Sequence, residues 1–509
     1  MLGDSMAQGL VNGAVLHPEF SFPALIAEAL GLRVGPDADA DFVVPSFFDP
    51  GIPFNIEKAL LDVEFWNGER LRKRGETLRA FFFAGLDIVR NRYYFETKSS
   101  PGKMNVGPPD HLAISGLSVR DCIELTPEEC DDRIGDAMDS LDAYVSATAT
   151  KPLLRIAKVV VNGSGIPERQ TWSPLTAFAH HFRDPDPTDE NPKKKPDVVV
   201  IHLGNADILG AVADLKLNLM PGDFDGDRGG RERYNVTHPD VFRADYQEFG
   251  RRVDEILSAV DPKPKVLIGN LPPTTIAPFI RGFGRQDENG YFECYARFFM
   301  DRPPAVRQTM RTLSREEVIH LDKVVDSYNE TIKDVANAHG WHLVDVWGMV
   351  NGLAIRRRFL EHEPERPLAN YLQGLVAQDG LDSTIAALGK LVPPLDVRVF
   401  RSKPDGTRAQ GGLFGFDCGH PSTFGYALVA DLFLRKMRDK DVAVATADDQ
   451  LNWNAIINER AKCMQTAPHL WEEVVGQLER HPVLFDFLFS GRPGKFQQKL
   501  AAKWREFRG

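Results

Sequence analysis

The run Asp197-Val198-Val199-Val200-Ile201-His202-Leu203-Gly204-Asn205-Ala206-Asp207 decides the class of fold. Its apolar opening, Val198 to Ile201, does not alternate with polar residues, as expected of a strand covered on both faces. Outward from it, Val159-Val160-Val161, Val266 to Ile268 and Leu343 to Val346 read as further strands. Two long helices lie between. Phe242, Tyr246, Phe249, Val253, Ile256 and Val260 keep three-and-four spacing and stop before Pro262. The second opens with the capping-box pair Ser314 and Glu317, continues through Val318, Leu321, Val325, Tyr328, Ile332 and Val335, and stops at Gly340. Each helix precedes a strand, the arrangement of right-handed crossover units and of an α/β protein with a parallel sheet.

At 509 residues the chain exceeds what one core usually supports, so it holds either two domains or one domain with large insertions. Four regions break the alternation. Residues 45–105 carry Phe81-Phe82-Phe83 and Tyr93-Tyr94-Phe95, and 214–235 are rich in Gly and Asp. Residues 275–312 hold Tyr291, Phe292, Tyr295, Phe298 and Phe299, and 347–412 are loop-rich. The net charge of -11 repels phosphate backbones, so nucleic acid is not an expected partner. Cys122, Cys130, Cys294, Cys418 and Cys463 form no CxxC pair, and their odd number argues against a complete disulfide framework. No stretch approaches the ~20 apolar residues of a membrane helix.

Four blocks could carry chemistry. In Gly3-Asp4-Ser5-Met6-Ala7-Gln8-Gly9, a serine stands in a tight turn that opens a helix, where a nucleophile can be exposed beside a helix N-terminus. The alternative is a capping serine. In Asp417-Cys418-Gly419-His420-Pro421, a carboxylate three residues before a histidine can accept its Nδ1–H and leave Nε2 free as a base. The alternative is a histidine bonded within its own turn. Asn205, at the C-terminal end of the buried strand, could donate to an oxyanion at the edge where open parallel sheets bind ligands. Gly116, in Ser115-Gly116-Leu117, would let a backbone N–H approach the same oxyanion.

In this order the blocks resemble the SGNH/GDSL hydrolase family, through Ser5, Gly116, Asp417 and His420. Gly411-Gly412-Leu413-Phe414, Gly425-Tyr426-Ala427 and the segment Val266 to Pro273 add similar context. The resemblance implies a three-layer α/β/α sandwich on a five-stranded parallel sheet, flavodoxin-like, and hydrolysis of esters without metal or cofactor. Ser5 would be the nucleophile, His420 the base and Asp417 its orienting acid, with the N–H groups of Ser5 and Gly116, and Asn205, around the oxyanion. Carboxylic esters are the expected substrates, with thioesters, acetylated sugars and lipids also open. The blocks place the excess length inside one hydrolase domain over 1–440, with insertions near 45–105, 214–235, 275–312 and 347–412. Residues 441–509 then form a helical C-terminal extension. The aromatic insertions at 45–105 and 275–312 are candidates for an acyl pocket, a lid, or added core.

Two positions depart from the family pattern. The residue directly before Asp207 is Ala206, and the asparagine comes one place earlier. On an extended segment that offset turns the side chain to the other face. Either the loop is reshaped so that Asn205 reaches inward, or backbone N–H groups form the hole alone. Secondly, only Met1 and Leu2 precede Gly3. A trimmed central strand would leave its neighbours with unmatched backbone groups. As written the chain reads as cytoplasmic, while a longer N-terminus could carry an export signal. A family member without turnover, acting as a binding protein, or an acyltransferase to a sugar or lipid alcohol, are the alternative functions.

Other candidates are weaker. Asp223, Asp225 and Asp227 alternate as in a calcium loop, but Arg228 and Tyr234 fill positions that need Gly and Glu. His180 and His181 lack partners at metal-ligand spacing, and Ser164 sits in a simple Gly-Ser-Gly turn. The sequons at Asn162, Asn235 and Asn329 matter only to a secreted chain. Phe496, Leu500, Trp504 and Phe507 mark an amphipathic basic helix that can either touch a lipid surface weakly or dock on the protein body.

Overall fold

The computed structural model describes residues 1–37, 39–47, 51–53, 55–62, 108–134, 152–184, 194–226, 228–300, 311–353, 397–403, 408–439, 441–456, 471 and 474–476. Most of 45–105, most of 347–412, Asp227, Cys463 and the Phe496–Phe507 segment lie outside them.

The β-branched run of the buried strand forms β3 (Val198–His202), inside a five-stranded sheet with β1 (Leu2–Gly3), β2 (Leu112–Ala113), β4 (Lys265–Gly269) and β5 (His342–Val344). The spatial order is β2-β1-β3-β4-β5 and every neighbouring pair is parallel. Because side chains alternate along a strand, successive residues enter different cores. Leu2, Leu112, Val199, Ile201, Val266 and Ile268 face one cluster, whereas Ala113, Val200, Leu267 and Val344 face the other.

The first cluster is closed by α3 (Val119–Glu124), α4 (Pro152–Asn162), α5 (Pro174–His180), α7 (Pro239–Ser258) and α8 (Arg315–His339). The second is closed by α2 (Phe22–Ala29), α9 (Val346–Leu353) and α10 (Thr423–Arg438). The fold is therefore a three-layer α/β/α arrangement with a flavodoxin-like strand order, as expected. Helices α7 and α8 pack through the stacked rings of Phe242 and Tyr328, whose centroids are 3.7 Å apart. Ser314 and Glu317 form the expected capping box, and Gly340 ends α8 in the left-handed region.

Several expectations are corrected. Val159-Val160-Val161 belongs to α4, not to a strand. Leu154, Ala157 and Val161 are buried at three- and four-residue intervals, and this helical period outweighs a short β-branched run. Strand β5 ends at Val344, and Asp345 then accepts the Gly348 N–H of α9 at 2.9 Å. The aromatic cluster within 275–312 includes an antiparallel hairpin, Ile280–Gln286 with Phe292–Arg297. It is tied to α8 by the Tyr291 hydroxyl, which donates to Asp322 at 2.7 Å. The short N-terminal segment leaves no gap between β2 and β3. Leu2 and Gly3 pair on both sides, with Leu112 and Ala113 and with Ile201 and His202. Gly3 is required there, since a Cβ would lie 2.5 Å from Ala7 Cβ and 2.7 Å from the His202 carbonyl.

Beyond α10, Val442, Leu451, Trp453 and Ile456 are buried in the second cluster, and Trp471 is buried between Phe298 and Phe416. These described parts of 441–509 add to the core.

A buried carboxylate links the helical layer. Asp207, in α6 (Ala206–Asp214), accepts the Val119 N–H at 3.0 Å and the Thr237 hydroxyl at 2.8 Å. Burial pushes its carboxyl up to about 7, against the pull of these two donors. A folded-state value above the unfolded one stabilises the fold fully at low pH and loses that contribution as pH rises toward 7. The difference in urea midpoint between the wild-type chain and Asp207→Asn should therefore shift in favour of the variant between about pH 4 and pH 7. A constant difference across that range would remove the buried-carboxylate account.

Candidate active site

Strand β1 delivers the chain into α1 (Ser5–Gln8), whose N-cap is Asp4, not Ser5. The Asp4 carboxylate accepts the Met6 N–H at 3.2 Å, as N-cap acids do. It also reaches the loop after β3, accepting the N–H groups of Gly204 at 3.1 Å and Asn205 at 2.8 Å, and the Asn205 side-chain amide at 3.1 Å. Asp4 is wholly buried, and these donors supply the hydrogen bonds that a carboxylate out of water demands. Ser5 is thus held at the carboxyl ends of β1 and β3, where the chain's crossovers diverge to opposite sides of the sheet. Its own N–H is at the first helical position, among the donors that a helix start leaves without an intrahelical partner.

The second half of the site arrives from the far end of the chain. Between Leu413 and α10 a compact loop is closed by a Phe414–Pro421 bridge and by the Gly415 N–H donating to the His420 carbonyl at 2.9 Å. Ser422 caps α10 and donates its hydroxyl to the Gly412 carbonyl at 2.7 Å. Within the loop, Asp417 Oδ1 accepts the N–H groups of Gly419 and His420, both at 2.9 Å. Its Oδ2 accepts the Gly13 N–H at 2.9 Å and lies 3.2 Å from His420 Nδ1. His420 Nε2 lies 3.0 Å from Ser5 Oγ. Burial alone would raise the Asp417 carboxyl. The adjacent His420 and the loop N–H donors outweigh burial and hold it below its ordinary value. The carboxylate therefore stays charged and fixes the ring with Nε2 toward Ser5.

Ser5 forms one hydrogen-bonded chain with His420 and Asp417, which lie 415 and 412 positions further along. Asn205 lies at the same cavity because the loop is reshaped. Gly204 takes φ +126°, a conformation suited to glycine, and Asn205 then adopts helical angles before α6. Its side chain lines the same cavity as Ser5 and His420, while its amide nitrogen is held by Asp4 and lies 3.4 Å from His202 Nδ1. Gly116 stands in a turn beyond β2 at φ +83° and is not part of that cavity's lining.

Sequence reading missed three supports. Asn12 accepts the Phe416 N–H at 2.7 Å and donates to Glu57, so it braces the residue before Asp417. Trp471 packs its ring 5.3 Å from that of Phe416. His202 is buried beside Asn205, and burial lowers its pKa. A signal existed for none but Asn12, whose place in a Val-Asn-Gly turn marks a tight bend.

The declined candidates lie elsewhere. His180 packs against Trp172, and His181 Nε2 lies 3.1 Å from the Pro109 carbonyl. Among the described residues, no group of three or more His, Cys, Asp or Glu could hold a metal ion. No described helix is long and apolar enough to cross a membrane.

No family model matches the sequence, and no curated protein matches it. Among solved structures, the chain aligns with an extracellular lipase from Streptomyces rimosus at 17% identity and a TM-score of 0.17. The alignment covers 33% of this chain and spans only 60% of the lipase's length.

Proposed function

We propose that this protein is a serine hydrolase of the SGNH/GDSL type that cleaves carboxylic esters through an acyl-enzyme. The observation that carries the reading is the chain Ser5 Oγ, His420 Nε2, His420 Nδ1 and Asp417 Oδ2, with spacings of 3.0 and 3.2 Å. Ser5 Oγ attacks the acyl carbon while His420 Nε2 takes its proton. The tetrahedral oxyanion is met by the Ser5 N–H and the Asn205 amide. Collapse breaks the bond to the alcohol, which leaves with the proton from His420. Water then repeats the sequence on the acyl-enzyme and restores Ser5. Asp417, charged throughout, stabilises the imidazolium that forms in each half.

Three groups that act as one unit do not contribute additively. On a short aryl ester, Ser5→Ala and His420→Ala should each lower kcat by about 10⁴- to 10⁶-fold, and the double variant should lose little more. Asp417→Asn should cost about 10⁴-fold. Full additivity of Ser5→Ala and His420→Ala, or unchanged rates, would contradict the proposal.

Asn205→Ala should leave the fold intact, because Asp4 keeps the N–H groups of Met6, Gly204 and residue 205. Its kcat should fall by about 10²- to 10³-fold, the usual cost of one oxyanion donor. Unchanged turnover would remove the Asn205 side chain from the site.

A further inference from the structure

Ser5 and His420 open onto a cavity whose described walls are almost entirely aliphatic. Helix α9 contributes Met349, Val350 and Leu353, α10 contributes Leu428 and Val429, and α6 contributes Leu209. Among the described residues, the polar side chains of the lining are Ser5, Asn205, Thr274 and His420, with no carboxylate, lysine or arginine. A sugar hydroxyl or a charged headgroup placed against these walls would lose its water without gaining hydrogen bonds. The aromatic hairpin at 280–297 does not line the cavity, whose described walls come mainly from α6, α9, α10 and the loops beside them.

We infer that this cavity is a binding site for an unbranched aliphatic chain on one side of the scissile ester, so that the substrate is an aliphatic ester rather than an ester of a sugar or a charged alcohol. The inference rests on the hydrolase reading for its reacting group. The pocket itself follows from the walls. Such a chain is apolar, slender and adaptable, as are the two methionines, Met6 and Met349, that it would meet. The chain could belong to the acyl group or to the alcohol, and both place an aliphatic segment against α9 and α10.

Binding and turnover separate the two claims. Calorimetric titration of Ser5→Ala with methyl octanoate and methyl acetate measures the pocket without chemistry. Each buried methylene is worth roughly fourfold, so octanoate should bind at least about a hundredfold more tightly than acetate. Val350→Trp, at a half-buried position that can accept bulk, should reduce that preference by about tenfold or more. Equal binding of the two esters to Ser5→Ala overturns the inference, whatever the turnover. On the wild-type chain, p-nitrophenyl alkanoates and alkyl acetates of increasing length then orient the ligand. A kcat/KM that climbs with acyl length puts the acyl chain in the pocket, one that climbs with alkyl length puts the alcohol there, and flat profiles in both series overturn it. Tight octanoate binding without turnover of any ester would instead overturn the hydrolase reading and leave the pocket standing.

Discussion

The buried carboxylate of Asp4 is the interaction on which the rest of the site depends. It caps the short helix that carries Ser5 and also grips the Gly204–Asn205 backbone at the end of β3. An unpaired carboxylate in this position would be costly, so the two strand ends are held together by the demand for hydrogen bonds. Neither strand alone could do this. Strand β1 is two residues long and gains its rigidity from β2 and β3 on its flanks. The turn that carries Ser5 is therefore held firmly because it is stitched across the sheet, the property that the proposed role of Ser5 needs.

The His420 loop meets this turn from the opposite end of the sequence. Its geometry is fixed mainly by backbone donors: three N–H groups address Asp417, one of them from Gly13, shortly after the Ser5 helix. Asn12 and Trp471 brace the residue before Asp417 from two directions. Residues far from the reacting atoms thus set the His420–Ser5 distance, and the described parts of the C-terminal region serve the site as well as the core.

Much of the fold was legible in the sequence because the strongest signals are periodic. The unbroken run at Val198 to Ile201 and the helical spacing around Phe242 and Tyr328 each report burial directly. Val159 to Val161 was misread because a three-residue β-branched run cannot separate strand from helix without its neighbours. The Asp417–His420 pairing followed from local spacing, since a carboxylate three residues before a histidine can reach its ring within one turn, whereas the joining of Ser5 to them, 415 positions away, was implied only by the family resemblance. Asn205 could not be settled in that way. Its direction depends on the positive φ of Gly204 and on the grip of Asp4, 201 positions away. The pocket walls were equally hidden, because α6, α9 and α10 converge only in the folded chain.

The central claim is that Ser5 is an activated nucleophile. Intact-mass and peptide mapping after exposure to a fluorophosphonate test it most directly. The account predicts one adduct per chain, on the peptide that carries Ser5, absent from Ser5→Ala and much slower to form in His420→Ala. No adduct, or an adduct on another residue that persists in Ser5→Ala, would contradict it.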